Sequence, residues 1–323
     1  EVGNISSSTY ELVIDTVTST PTIMLDADSD TGITHTDGIT KDPQPLFKGV
    51  AEAGAEISLM INGTYYGSAI ADKNGNWSFR IPADKTLAEG EYNVMVTAVD
   101  IAGNSANSVS IPLIIDLHTD IPTIDLLSDS GDNPDDHITS VNLPSFAGTA
   151  EPFASITLYC DGNIAGKASA DAKGQWQFTY PQSLPEGSYA FHVSVVDVAG
   201  NIATSEKIHV TIDTSLNIPS VDLLNESDSG ASATDNITNT KSPIFVLNSV
   251  DSDVTHVLIN IDGTDYPASL NNGVWSLVCP VELADGIHTI TATVTDLAGN
   301  SATSGTLDVT VDTAISAPVV TLS

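Results

Sequence analysis

The chain has 323 residues, 41% of them apolar and 16% charged, a balance that excludes a disordered chain and leaves room for two or three domains with cores of their own. Nine basic residues against 42 acidic ones give a formal net charge of −33, which excludes binding to nucleic acid or to an anionic membrane through the protein's field. The same field attracts cations, and crowded carboxylates destabilise a compact state unless counter-charge is supplied, so bound divalent metal is implied at once.

The first residues, EVGNISSSTYELVIDT, lack the basic start and apolar core of a signal peptide, and no apolar run is long enough to span a bilayer. The chain is therefore expected to be a piece of a longer protein. LeuValIleAsp15Thr resembles the ends of the three units described below, at Asp116, Asp213 and Asp312, so residues 1–16 are expected to be the end of a preceding domain or a linker strand. Ala317–Ser323, within 313–323, reads as the start of a following repeat.

Between these ends one pattern is written three times. A linker proline (Pro21, Pro122, Pro219) leads into a short strand, an acidic loop and AspXaaIleThr at Asp37, Asp136 and Asp235. A strand around Phe47, Phe146 and Phe245 follows, then one from Ile57, Ile156 and Val257 that ends in Asn62-Gly63, Asp161-Gly162 and Asp262-Gly263, strong hairpin signals. The next strand reaches a glycine turn, and two residues on stand Trp77, Trp176 and Trp275, expected to be core aromatics rather than sugar-stacking platforms. A last alternating run ends in AspXaaAlaGlyAsn, at Asp100–Asn104, Asp197–Asn201 and Asp296–Asn300, and opens the final strand. These signatures lie 97 and 99 residues apart, which marks a repeat protein.

About seven short strands per hundred residues, with turn signals every ten or so and no helical period, predict an all-β fold: tandem immunoglobulin-like β-sandwiches in an elongated rod. The domains are placed at 17–116, 117–213 and 214–312. Cys160 and Cys279 lie in different repeats and align with core positions, Cys160 with Ile61 and Ile261, so no disulfide joins them. An extracellular-looking chain without disulfides points to a bacterial secreted or surface protein.

If successive strands alternate in direction, the signature loop lies at the pole where the chain enters a domain and the acidic loop at the pole where it leaves. At the first pole Asp15 then meets Asp100, Asp116 meets Asp197, and Asp213 meets Asp296, with Glu52 and Glu151 as third acids; in the last repeat that position shifts to Asp251 or Asp253. Carboxylates from three segments suit Ca2+, which takes six to eight oxygens in irregular geometry, far better than zinc. The signature also reads simply as a turn, with the aspartate as cap and Gly-Asn as left-handed residues.

The acidic loops are a second candidate set: Asp26, Asp28, Asp30 and Asp37 in the first repeat, Asp129, Asp132 and Asp136 with Asp135 in a loop two residues shorter, and Glu226, Asp228 and Asp235 in the third, where Leu224 stands first. Alternate acids on a curling loop are expected to face one point. The glycine spacing and the lack of flanking helices exclude an EF-hand. No metalloprotease, phosphate-loop or serine-elbow motif occurs, and acids that recur at every domain end argue for a structural, non-enzymatic role over a glycosidase pair.

With IleAspThr linkers, acidic loop, AspXaaIleThr, GlyXaaTrp and AspXaaAlaGlyAsn in register, the chain resembles the bacterial Ig-like repeats of giant adhesins exported by type I secretion. The resemblance implies a calcium-stiffened stalk at the bacterial surface that holds a distal region against host cells. It also implies neighbouring Ig-like repeats as partners, a monomeric chain, and host glycan or receptor contact through the full-length protein. The alternative is that these domains themselves bind glycan or a protein receptor, with Tyr65, Tyr66 and Phe153 as the candidate aromatics.

Overall fold

The computed structural model describes residues 6–230 and 232–315. Its first repeat contains β1 (Met24–Leu25), β2 (Ile39–Thr40), β3 (Leu46–Val50), β4 (Glu56–Ile61), β5 (Thr64–Ile70), β6 (Asn76–Arg80), β7 (Gly90–Val99), β8 (Ser105–Asn107) and β9 (Ile111–Ile115). One sheet has the order β1-β3-β6 and the other β2-β9-β7-β4-β5, with β8 also on β7. Alternation sets this packing: Ile57, Leu59 and Ile61 of β4 and Val94, Val96 and Ala98 of β7 point inward against Phe47 and Trp77, and all are buried. The second repeat follows the same plan; in the third the strand corresponding to β5 breaks after Pro267 and its second half, Ser269–Asn271, joins the other sheet, and all three are immunoglobulin-like sandwiches, all-β and strung into a rod.

Two of the nine strands were not expected. AspXaaIleThr forms β2, which runs parallel to β9, not antiparallel, because the acidic loop carries the chain from one sheet to the far edge of the other. The run after the signature splits into β8 and β9 at Ser108, whose amide donates to Val96 O (2.8 Å) and whose hydroxyl accepts from Val96 N (3.0 Å). The serine side chain thus stands in for the ladder while the backbone crosses over. Asn62-Gly63, Asp161-Gly162 and Asp262-Gly263 each have two positive φ values, as the primed hairpin turn demands.

Within residues 1–16, expected as the end of a preceding domain or a linker strand, the described residues 6–16 run as coil, with Leu12, Val13 and Ile14 exposed. Ala317–Ser323 lies outside the described residues. Cys160 and Cys279 are buried, free thiols. Among the described residues no helix is long and apolar enough to cross a membrane.

Candidate metal centres at the joints between repeats

Each signature loop is organised by its first and last residues. The Asn104 amide donates to Asp100 Oδ1 (2.8 Å) while its Nδ2 donates to Oδ2 (2.8 Å), so one asparagine clamps both carboxylate oxygens. Asn201 does the same to Asp197 (2.8 and 2.9 Å), and Asn300 to Asp296 (2.8 and 2.9 Å). Only the glycine is left-handed, with φ +92°, +95° and +84° at Gly103, Gly200 and Gly299. The asparagine is therefore a clamp and not, as expected, a second left-handed residue.

The same asparagines reach the linker. Asn201 Nδ2 lies 3.0 Å from Asp116 O, Asn300 Nδ2 2.9 Å from Asp213 O, and Asn104 Nδ2 3.3 Å from Asp15 O. Asp116 meanwhile donates its amide to Thr40 O of its own repeat (2.9 Å), as Asp213 does to Thr139 O (3.0 Å). Each of these linker aspartates is tied by its amide to the repeat it leaves and by its carbonyl to the repeat it meets. The strand alternation of the sandwich is what brings them together.

A third acid completes each joint. Carboxylate oxygens of Asp15, Glu52 and Asp100 lie within 4.8 Å of one another, as do those of Asp116, Glu151 and Asp197, and of Asp213, Asp253 and Asp296. Glu52 also accepts from Thr18 Oγ1 (3.1 Å) and Glu151 from the Asp120 amide (2.7 Å), so one glutamate both holds the linker and faces the cluster. In the last repeat two residues divide this work. Asp251 accepts from the amide and Nδ2 of Asn217 (2.7 and 2.7 Å), whereas Asp253 faces the cluster, its buried Oδ1 accepting no hydrogen bond among the described residues.

The electrostatics are uneven. Asp197 and Asp296 are 0% and 1% exposed. At Asp100 burial works against the charged form, but the clamp of Asn104 and the loop amides outweigh it and hold the carboxyl below its usual range. Burial pushes Asp116 up, and the charges of Asp197 and Glu151 push it further; Asp213 is raised by burial and then by Asp296 and Asp253. Among the described residues no lysine or arginine forms an ion pair with any of these nine acids. All-oxygen donors, a buried unpartnered oxygen and uncompensated charge fit a hard divalent cation.

The acidic loops are arranged differently. A helical turn, with the Ser29 and Asp30 amides both 2.9 Å from Asp26 O, replaces the expected alternation, so Asp26, Asp28, Asp30 and Asp37 do not converge as a ring. Asp26 pairs with Lys48 (2.7 Å) and Asp28 is exposed. Asp30 is buried, accepts from the Gly38 amide (3.2 Å) and leaves Oδ1 unpartnered; Asp37 accepts from the Ile39 amide (3.0 Å).

The other repeats keep that pair, Asp129 accepting from His137 N (2.9 Å) and Asp136 from Ile138 N (2.9 Å), and Asp228 from Asn236 N (3.2 Å) and Asp235 from Ile237 N (3.2 Å). Glu226 is exposed, and Asp132 crosses to His256 of the next repeat (3.0 Å). Among the described residues, groups of three acids within metal-binding reach form at the joints.

The family described as "Bacterial Ig-like domain" matches residues 17–117, 118–214 and 215–313, and the chain belongs to that family. A tetra-tandem repeat from the extending region of a large adhesion protein is similar at 19% identity, over 91% of this chain and 74% of that one, with a TM-score of 0.30. A 1.5-MDa bacterial ice-binding adhesin is similar at 19% identity, over 90% and 98%, with a TM-score of 0.38. Fibronectin(III)-like modules of Clostridium thermocellum CbhA show 13% identity over 59% and 94%, with a TM-score of 0.35. No curated protein sequence matches the chain.

Proposed function

We propose that the chain is a stalk segment of a giant bacterial surface adhesin in which calcium, held at the joints, turns flexible linkers into stiff ones. The observation that carries this reading is the recurrence of three carboxylates, from a linker and two loops of the repeat it enters, within 4.8 Å of one another at the entry of each of the three repeats. Without an ion the carboxylates repel and the range of angles between neighbouring repeats widens; with one they share a counter-charge and that range narrows. The role is structural, not enzymatic. Type I secretion, display at the cell surface and attachment to host cells, with its consequence for virulence, would belong to the full-length protein.

Small-angle scattering in calcium and in chelator, with metal content measured on the same sample, tests the reading. The expected result is about one ion per joint and a longer, stiffer particle in calcium. An unchanged maximum dimension would sink it.

A second reading, direct binding of glycan or a protein receptor, is favoured by one observation. Half-buried Trp275 lines an open groove of about 410 Å³ with His256, Pro267 and Asp132 at the joint between the second and third repeats. Tyr65 and Phe153 are exposed, and Tyr66 packs half-buried against the core of the first repeat. Tryptophan fluorescence quenching by neutral oligosaccharides, lost in Trp275→Ala, would support this reading.

A further inference from the structure

The joints are in contact at a second place that uses no carboxylate. In the first repeat Thr31 accepts the Lys41 amide at Oγ1 (2.9 Å) and donates that hydroxyl to Ala199 O of the second repeat (2.6 Å). In the second repeat Ser130 accepts the Ser140 amide (2.8 Å) and donates to Ala298 O of the third (2.6 Å). The residue that follows is a left-handed glycine laid flat on the same signature loop. A Cβ on Gly32 would lie 1.9 Å from Val198 O, and one on Gly131 2.1 Å from Leu297 O. Lys41 adds its ammonium to Gly200 O at the first of these joints.

The third repeat carries the same device. Ser229 accepts the Asn239 amide (2.7 Å), and Gly230 has φ +120°, with nothing described within 4 Å of its Cβ position. The hydroxyl is oriented by its own repeat before any partner arrives, which lowers the cost of docking.

We propose that this hydroxyl-glycine pair is a metal-independent latch that sets the orientation of consecutive repeats, and that Ser229–Gly230 is a docking surface for the AspXaaAlaGlyAsn loop of a further repeat. The partner's chemistry is specific. The latch needs the two backbone carbonyls of the signature's second and third residues turned outward, and an alanine small enough to let a second repeat lie against them. A larger third residue in the signature would close the surface.

The third repeat supplies the control. Gly131→Ala and Gly230→Ala place alanine at the same loop position with a positive φ, so both incur the backbone strain, but only Gly131→Ala meets another repeat. The readout is the distance distribution between spin labels at Lys173→Cys and Thr264→Cys in the full chain, in EGTA, where Cys160 and Cys279 are buried and do not compete.

The expected result in EGTA is equal widths for the parent and Gly230→Ala, at least twofold broadening relative to them for Gly131→Ala, and intermediate broadening for Ser130→Ala, which lacks only the hydroxyl, with calcium narrowing the parent further. A parent distribution already as broad in EGTA as that of Gly131→Ala, or equal widths for the two alanine variants, would overturn the latch. Adding calcium to the parent tests the stiffening reading separately, since a failed latch leaves calcium-induced narrowing intact.

Discussion

The second and third repeats share a plan but not a core. In the second, Trp176 lies over Gly148, where any Cβ would stand 2.9 Å from the indole, and Phe178 lies over Gly166 at 2.3 Å. In the third, Leu247 takes the place of that first glycine and Pro267 of the second, with Leu277 in place of the phenylalanine. The cross-strand pairing that sets Gly148 opposite Trp176 stops at Val246 opposite Ser276, and Trp275 turns from fully buried to half-buried. The joints changed too, one glutamate in the second repeat against Asp251 and Asp253 in the third, yet three carboxylates still meet. Core packing differs between the two repeats, whereas three acids lie within 4.8 Å of one another at the entry of both.

The sharpest break in that comparison is the tryptophan. Trp176→Ala is expected to cost about 4 kcal/mol and Trp275→Ala less than half of that, read from urea denaturation of each variant. Equal losses would mean that Leu247 has not displaced the indole from the third core. Calcium comes next. At a free concentration about a hundredfold above Kd it should add roughly 2.7 kcal/mol to whatever unit it holds together, and Asp197→Ala or Asp296→Ala should abolish the gain at its own joint.

A smaller effect separates the divided acids. Asp253→Asn should weaken calcium binding at the last joint, measured by titration calorimetry, while Asp251→Asn should leave it and loosen only the linker at Asn217. Glu151→Gln should do both at once. Were Asp251→Asn the more damaging for calcium, the assignment of the third ligand would be reversed.

The smallest concerns protons. Asp116 and Asp213 are raised above the ordinary carboxylate range, so between that range and their raised values the folded, metal-free chain holds more protons than the unfolded one. Their contribution therefore makes the chelated chain less stable as pH rises through the raised values and recovers on mild acidification. Asp100, held low, works in the opposite sense below the ordinary range. Asp116→Asn should flatten its share of the first trend, stabilise the chain in chelator by under about 1 kcal/mol, and remove the response to calcium at its own joint. Thermal melts across pH in EGTA and in calcium would show it.

Much of this was legible in the sequence because it depends on spacing. The hairpin dipeptides, the aromatic positions and the linker and signature aspartates all recur in register, and alternation of strands then puts Asp116 beside Asp197 without further information. What could not be read depends on geometry within a loop or on the backbone. The choice between Asp251 and Asp253 turns on which of two nearby side chains faces the linker. The acidic loop takes a helical turn, so Asp26 and Asp28 stand apart from Asp30 and Asp37 where an extended curl would have gathered all four. Asn104, Asn201 and Asn300 recur in register, and that signal could have identified them as the bridge. The contacts of Gly32 and Gly131 are with carbonyls, which leave no trace in composition.

The parallel pair β2 and β9 has a mechanical consequence. The chain reaches β2 only after β1 and the acidic loop and goes out through β9, and between these two parallel strands the Ile114 amide is 2.8 Å from Gly38 O and the Asp116 amide 2.9 Å from Thr40 O. Tension along the rod therefore loads these bonds together in shear, where an antiparallel pair pulled from one end would unzip bond by bond. The last of them is made by the residue whose carboxylate faces the next repeat, so force leaving one domain passes directly into the site that holds the next.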